Sequence, residues 1–159
     1  MYLAPFSEQD YQQLIDWIPD EEFNLLWGGT LYDWPITIEQ IKQRQLRTQV
    51  TGFMVVADGS NIGFLELVKL SPAKCRLCQV LVARESHRGL GYGKSMLKLA
   101  LDYAKRHFNA KQISLAVFEH NQAAVHCYHA LGFEIVRRDT QGRNFNKQWW
   151  PLLEMELKL

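Results

Sequence analysis

Two short stretches of this chain hold residue types whose spacing suits chemistry on an anionic ligand. The first is Arg88-Gly89-Leu90-Gly91-Tyr92-Gly93-Lys94. Glycines let a backbone turn tightly and converge its N–H groups on an anion. A helix opening there adds unpaired N–H groups and the positive end of its dipole. The second stretch runs from Asn121 to Phe133, where Asn121, Ala124 and Tyr128 stand at helical spacing. A tyrosine hydroxyl is protonated at neutral pH and can serve as a general acid. Two carboxylates are candidates for a general base. Glu66 falls among apolar neighbours, where burial would raise its pKa toward a useful value, and Glu119 lies beside Asn121.

The glycine stretch excludes two common phosphate-binding signatures. Gly93-Lys94-Ser95 would complete a Walker A loop only with glycine at position 88, where Arg88 stands. A dinucleotide fingerprint, G-x-G-x-x-G, lands on Lys94 when counted from Gly89 and on Met96 when counted from Gly91.

Taken together and in this order, the two stretches resemble the motifs of the GNAT superfamily of N-acyltransferases. Arg88 to Gly93 is similar to that family's Arg/Gln-x-x-Gly-x-Gly/Ala loop. The segment Asn121-Gln122-Ala123-Ala124…Tyr128-His129-Ala130-Leu131-Gly132-Phe133 looks like its second motif. The likeness covers residues 75–133 well and the N-terminal third in outline. It implies acetyl-coenzyme A as acyl donor, with no metal. The pyrophosphate would lie on the main-chain N–H groups of Gly89, Leu90, Gly91, Tyr92 and Gly93, with Arg88 and Lys94 near the phosphates. Val80, Leu81 and Val82 would flank the pantetheine arm, near Asn121 and Ala124. One main-chain N–H of that strand would polarise the thioester carbonyl, and Tyr128 would protonate the departing thiolate.

The resemblance also implies direct transfer to a primary amine in a ternary complex, the amine being a small cationic molecule or a peptide N-terminus. Some family members place a glutamate on the strand before the glycine loop. Here that strand, Lys74 to Val80, has no carboxylate, so the base falls to Glu66, Glu119 or water. A non-catalytic acyl-coenzyme A-binding or regulatory module is the alternative.

Composition narrows the setting. The 159 residues, 47% of them hydrophobic, suit one domain over residues 1–159 with its own core. Residues 1–41 hold eight acidic side chains and no Lys or Arg. All 18 basic residues follow, with the other nine acidic ones. The acidic, aromatic run Asp20-Glu21-Glu22-Phe23…Trp27…Tyr32-Asp33-Trp34 therefore suits a cationic acceptor through charge pairing and cation–π contact. The basic residues are scattered rather than clustered, so nucleic acid is not expected as a partner.

The N-terminus reads as neither a signal peptide nor a membrane span. A cytoplasmic monomer or homodimer without membrane contact is expected. Three cysteines give no disulfide framework. Cys75 and Cys78 fall on a strand at a spacing that sends them to opposite faces, poor geometry for a metal. His126, Cys127 and His129 are expected as solvent-facing histidines and a free thiol.

The elements that must position these residues follow from periodicity and caps. A first strand is expected at Tyr2–Phe6, then a helix from Ser7 to about Trp17. A second helix starts at Pro19-Asp20-Glu21-Glu22, with proline in its first turn, and stops at Gly28-Gly29. Thr37 caps a third, ending near Arg47. Strands at 53–57 and 62–68 form a hairpin through Asp58-Gly59, and another precedes the glycine loop. A helix from about Gly91 to Phe108, a strand at 113–118 and the Asn121–Leu131 helix come next. Two last strands, 133–138 and 149–157, flank a turn at Gln141-Gly142-Arg143-Asn144. The order describes an α/β fold of mixed α+β type. With the resemblance, the expectation is a central, mostly antiparallel twisted sheet of about seven strands, with helices on both faces.

Overall fold

A computed structural model of the chain describes residues 1–83 and 89–159. Seven strands form one sheet in the order β1-β2-β3-β4-β5-β7-β6. They are β1 (Tyr2–Pro5), β2 (Val50–Ala57), β3 (Ser60–Ser71), β4 (Lys74–Val82), β5 (Gln112–Phe118), β6 (Glu134–Phe145) and β7 (Gln148–Lys158). Every neighbouring pair is antiparallel except β4 with β5. The helices are α1 (Tyr11–Asp16), α2 (Glu21–Gly28), α3 (Ile38–Gln45), α4 (Tyr92–Phe108) and α5 (Gln122–His129).

Period-two alternation in the strands divides the buried side chains between two cores, one on each face of the sheet. Phe53, Val55, Leu65 and Leu67 join Met96, Leu97, Ala100 and Ala104 of α4 and Val125 and Tyr128 of α5. On the other face, Met54 and Phe64 pack with Tyr11 and Leu14 of α1, Ile41 of α3 and Ile18, Tyr32 and Ile36. Burying each Val, Leu, Ile, Met or Phe among them stabilises the fold by about 1.5–3 kcal/mol before entropy is counted.

Local caps set the helix ends. Ser7 and Asp10 form the reciprocal capping box before α1. The Asp20 side chain accepts from Phe23 N at 2.8 Å, so Asp20 is the cap of α2 and Pro19 precedes the helix instead of lying in its first turn. Thr37 accepts from Gln40 N, while the Gln40 side chain reaches past it to the main chain of Asp33 and Pro35.

The expected turn at 141–144 is not a chain reversal. β6 continues through it and the hairpin closes at Asn146-Lys147, both with positive φ. Asp139 explains the difference. Its carboxylate accepts from Gln141 N and Gly142 N, satisfying donors released where the β6–β7 register slips between Asp139 and Arg143. Among the described residues, no helix is long and apolar enough to cross a membrane.

Candidate active site

The parallel pair β4–β5 is joined only at Lys74–Arg76 with Gln112–Ser114. Beyond that the two strands separate, and a cavity of about 1210 Å³ opens between Leu77–Val82 and Ala116–Phe118. A bulge in β4 shapes its wall. Gln79 has φ 51°, and the register with β3 slips by one residue between Phe64↔Leu81 and Glu66↔Cys78. Because side-chain direction alternates along a strand, a one-residue slip swaps the faces. Cys75 and Leu77 therefore face the α4/α5 core, yet beyond the bulge Leu81 faces the α1–α3 core, and Val80 and Val82 pack toward α4 and α5.

Neither Gln79 nor Val80 has a ladder partner on β3. Gly63, opposite this region, has no substitute: a Cβ there would stand 2.3 Å from the Leu81 carbonyl oxygen. Trp27 Nε1–H donates to the Gln79 carbonyl at 2.9 Å, tying the end of α2 to the bulge.

At one end of the cavity lie Gly89, Gly91, Gly93, Lys94, Val82, Asn121, Ala124, Cys127 and Tyr128. Gly91 caps α4 at φ 83°, a conformation glycine adopts without strain. The first-turn N–H groups of this 17-residue helix open there. Asn121 Oδ1 accepts from Ala124 N at 3.3 Å, so it caps α5 while lining the cavity. Tyr128 is buried against Phe133, ring centroids 5.8 Å apart. Burial pushes its hydroxyl well above the ordinary tyrosine range, with Cys127 and Cys78 adding to the effect. Burial raises both thiols too, Cys78 to about 11, so neither is a thiolate nucleophile at neutral pH.

The structure brings Val80, Leu81, Val82, Gly89, Gly91, Gly93, Lys94, Asn121, Ala124 and Tyr128 to one cavity. Leu90 and Tyr92 sit in the same loop and first helical turn without lining it. Arg88 lies outside the described residues. The two candidate bases are elsewhere. Glu66 has no exposed side-chain surface and does not line the cavity. Its Oε2 accepts from Arg44 Nε at 3.1 Å and Nη2 at 2.9 Å, and its Oε1 accepts from Gln45 at 2.8 Å. Burial raises its pKa, against the lowering influence of Arg44. Glu119 points away into a forked pair with Arg138 at 2.6 and 2.7 Å, which holds its carboxyl below the usual range. Among the described residues, no three His, Cys, Asp or Glu side chains cluster as a metal would need.

The opposite end contains residues that sequence reasoning passed over. Arg44, Arg76 and Glu154 line it with Leu26, Gly28–Leu31 and Leu152. Arg76 Nη1 and Nη2 donate to the two oxygens of Glu154 at 3.1 and 3.3 Å. The one sequence signal was that Arg76 shares a strand face with Cys78. Arg44 on α3 and Glu154 on β7 gave none. Of the acidic, aromatic segment, Phe23 and Trp27 line the cavity and its carboxylates do not.

A cavity between splayed parallel strands, with a glycine-capped helix at one mouth and a buried tyrosine beside it, is a recognisable acyl-transfer arrangement. Residues 9–133 match the acetyltransferase (GNAT) family, and the chain belongs to that family. It is an acetyl-coenzyme A-dependent N-acetyltransferase.

Spermidine N(1)-acetyltransferase of Escherichia coli K12 is 24% identical over 134 residues, 84% of this chain and 72% of that protein. The Vibrio cholerae enzyme of the same name is 29% identical over 110 residues, 67% of this chain and 63% of that one. A solved structure of the V. cholerae spermidine N-acetyltransferase with coenzyme A and spermine superposes with a TM-score of 0.84 at 18% identity, covering 98% of this chain and 94% of that one. An aminoglycoside acetyltransferase in complex with coenzyme A gives 0.76 at 18% identity, covering 99% and 94%.

Proposed function

We propose that the chain acts as a single domain over residues 1–159 and acetylates a small-molecule primary amine by direct transfer, with Tyr128 as general acid. The observation that carries this reading is the cavity itself. It runs from the cap of α4, past Tyr128 and Cys78, to the end lined by Arg76 and Trp27. Acetyl-coenzyme A supplies an acetyl group activated as a thioester. Main-chain N–H groups of the Gly89–Gly93 loop, with Arg88 and Lys94, hold its pyrophosphate, and Val80, Leu81 and Val82 flank the pantetheine beside Asn121 and Ala124. Relatives named for acetylating spermidine, and a neighbour bound to coenzyme A, support a small amine as acceptor.

The amine nitrogen bonds to the acetyl carbon, the carbon–sulfur bond breaks, and the sulfur leaves with the electron pair. A main-chain N–H at the bulge, from Gln79 or Val80, polarises the carbonyl. The Tyr128 hydroxyl gives its proton to the leaving sulfur, and the proton that the amine loses passes through water back to Tyr128. Burial raises the Tyr128 pKa, so the hydroxyl holds its proton until the sulfur leaves. Glu66 is sealed by Arg44, and Glu119 is turned to Arg138. Water therefore takes the amine proton.

The test is thiol release from acetyl-coenzyme A with a panel of amines, followed from pH 5 to 10. With water as the base, kcat/KM rises with the neutral fraction of the amine and shows no inflection in the carboxylate range. An inflection between pH 4.5 and 7 that disappears in Glu66→Gln would transfer the base role to Glu66. No thiol release with any amine would overturn the reading.

A further inference from the structure

The ionisable groups lining the cavity are unevenly signed. Arg44, Arg76, Lys94 and Arg143 face it, against the single carboxylate of Glu154. Lys94 belongs to the α4 end, where the donor's phosphates lie. Arg44 and Arg76 carry their charges close to Cys78, and Arg143 lines the cavity from β6, near Asp139. Their partners decide what an acceptor would meet there. Both oxygens of Glu154 are taken by Arg76, and Arg137 Nη2 stands 3.9 Å from Oε1. The Glu66 carboxylate behind Arg44 is fully buried and already accepts from Arg44 and Gln45. An ammonium group entering this end would find no carboxylate oxygen without a partner among the described residues.

The cations are less completely used. Arg44 donates through Nε and Nη2 only. Arg143 donates through Nη1 to the Gly142 carbonyl only. Among the described residues, Arg44 Nη1 and Arg143 Nε and Nη2 therefore hold no hydrogen bond. Arg143, at an exposed position, keeps a free Nε/Nη2 fork whose planar geometry matches the two oxygens of a carboxylate, and Arg44, 11% exposed, adds one spare donor. The aromatic and aliphatic walls, Phe23, Leu26, Trp27 and Leu152, complete a pocket for a small body bearing one anionic end.

We propose that the acceptor is a primary amine that also carries a carboxylate, such as a free amino acid or a short peptide, with Arg44 and Arg143 as the residues that select the carboxylate. This rests on the acetyltransferase reading above and specifies its substrate. It distinguishes this chain from polyamine-directed relatives, whose acceptors carry only positive charge.

The experiment compares each protein amino acid with its carboxamide, alongside spermidine and spermine. Acceptor binding to the coenzyme A-loaded protein is measured by calorimetry and turnover by thiol release. The carboxylate forms that bind are expected to do so at least tenfold more tightly than their amides. Arg143→Glu, at an exposed position, is expected to erase that ratio while leaving the KM for acetyl-coenzyme A unchanged. Equal binding of acid and amide, or higher kcat/KM for spermidine than for any amino acid, overturns the carboxylate proposal and leaves the acetyltransferase reading intact. Carboxylate-selective binding with no thiol release from any amine would do the reverse.

Discussion

At the end of the cavity where α4 opens, the groups proposed to hold the donor are main-chain N–H groups from one loop and one helical turn. The proposed acceptor site draws instead on side chains of four separate elements: Arg44 of α3, Arg76 of β4, Arg143 of β6 and Glu154 of β7. The first kind of site needs only glycines at the right offsets before a helix, since every residue carries the binding group. The second needs side chains whose ion pairs close across 22 residues, Arg44–Glu66, and 78 residues, Arg76–Glu154. A donor shared by a whole family can be held by the first device. On the proposal above, the acceptor, which differs between members, is read by the second.

The junction between the two ends should be the most sensitive point. Tyr128→Phe is expected to lower kcat by about 10²–10⁴-fold where chemistry limits the rate, with the KM for acetyl-coenzyme A little changed. Full activity in steady-state and single-turnover assays would remove Tyr128 from the chemistry and leave it as a packing residue against Phe133.

Next in size comes the support behind the acceptor end. Glu66→Ala leaves the Arg44 guanidinium, 11% exposed, without its counter-ion. A loss of about 3–5 kcal/mol in urea unfolding is expected. A smaller loss than at donor-end sites would mean that the acceptor end does not depend on this buried pair.

A donor-end counterpart is Asn121→Ala, which removes the cap on α5. About 1 kcal/mol of stability is at stake, read by the same unfolding measurement. A rise in the KM for acetyl-coenzyme A beyond that would show that Asn121 also touches the donor. Glu119→Gln should do least, since the group is exposed and paired outside the cavity. No change in the pH–rate profile is expected, and an altered profile would bring Glu119 back as the base.

Much of the frame was readable in the chain. The Asp58-Gly59 hairpin, the Thr37 cap, the Gly91 entry to α4 and the amphipathic run to Phe108 all depend on neighbours within a few residues. The misreadings have the same origin. Gln141-Gly142-Arg143-Asn144 has turn composition, but a carboxylate at Asp139 supplies the hydrogen bonds that let β6 bulge and continue. Glu66 reads as a carboxylate among apolar residues. Whether it is an accessible base or a buried counter-ion depends on Arg44, far away in sequence. The acidic segment from Asp20 to Asp33 suggested a cation site, yet Asp20 is engaged in capping α2, and of the segment's acidic and aromatic residues only Phe23 and Trp27 line the cavity.

The sequence alone determined the glycine loop, the helix that opens behind it, the tyrosine on α5 and the alternation that builds the strands. Each is a local pattern whose physical consequence is settled within one or two turns of chain. Tertiary structure alone decided the cavity and the sign of its far end. The Gln79 bulge appears only when β4 must pair with β3 on one side and part from β5 on the other. The arginines and carboxylates acquire their partners only when α3, β6 and β7 are brought against that strand. Charge and hydrogen bonding act through space, and a linear chain does not record which distant residues will be close.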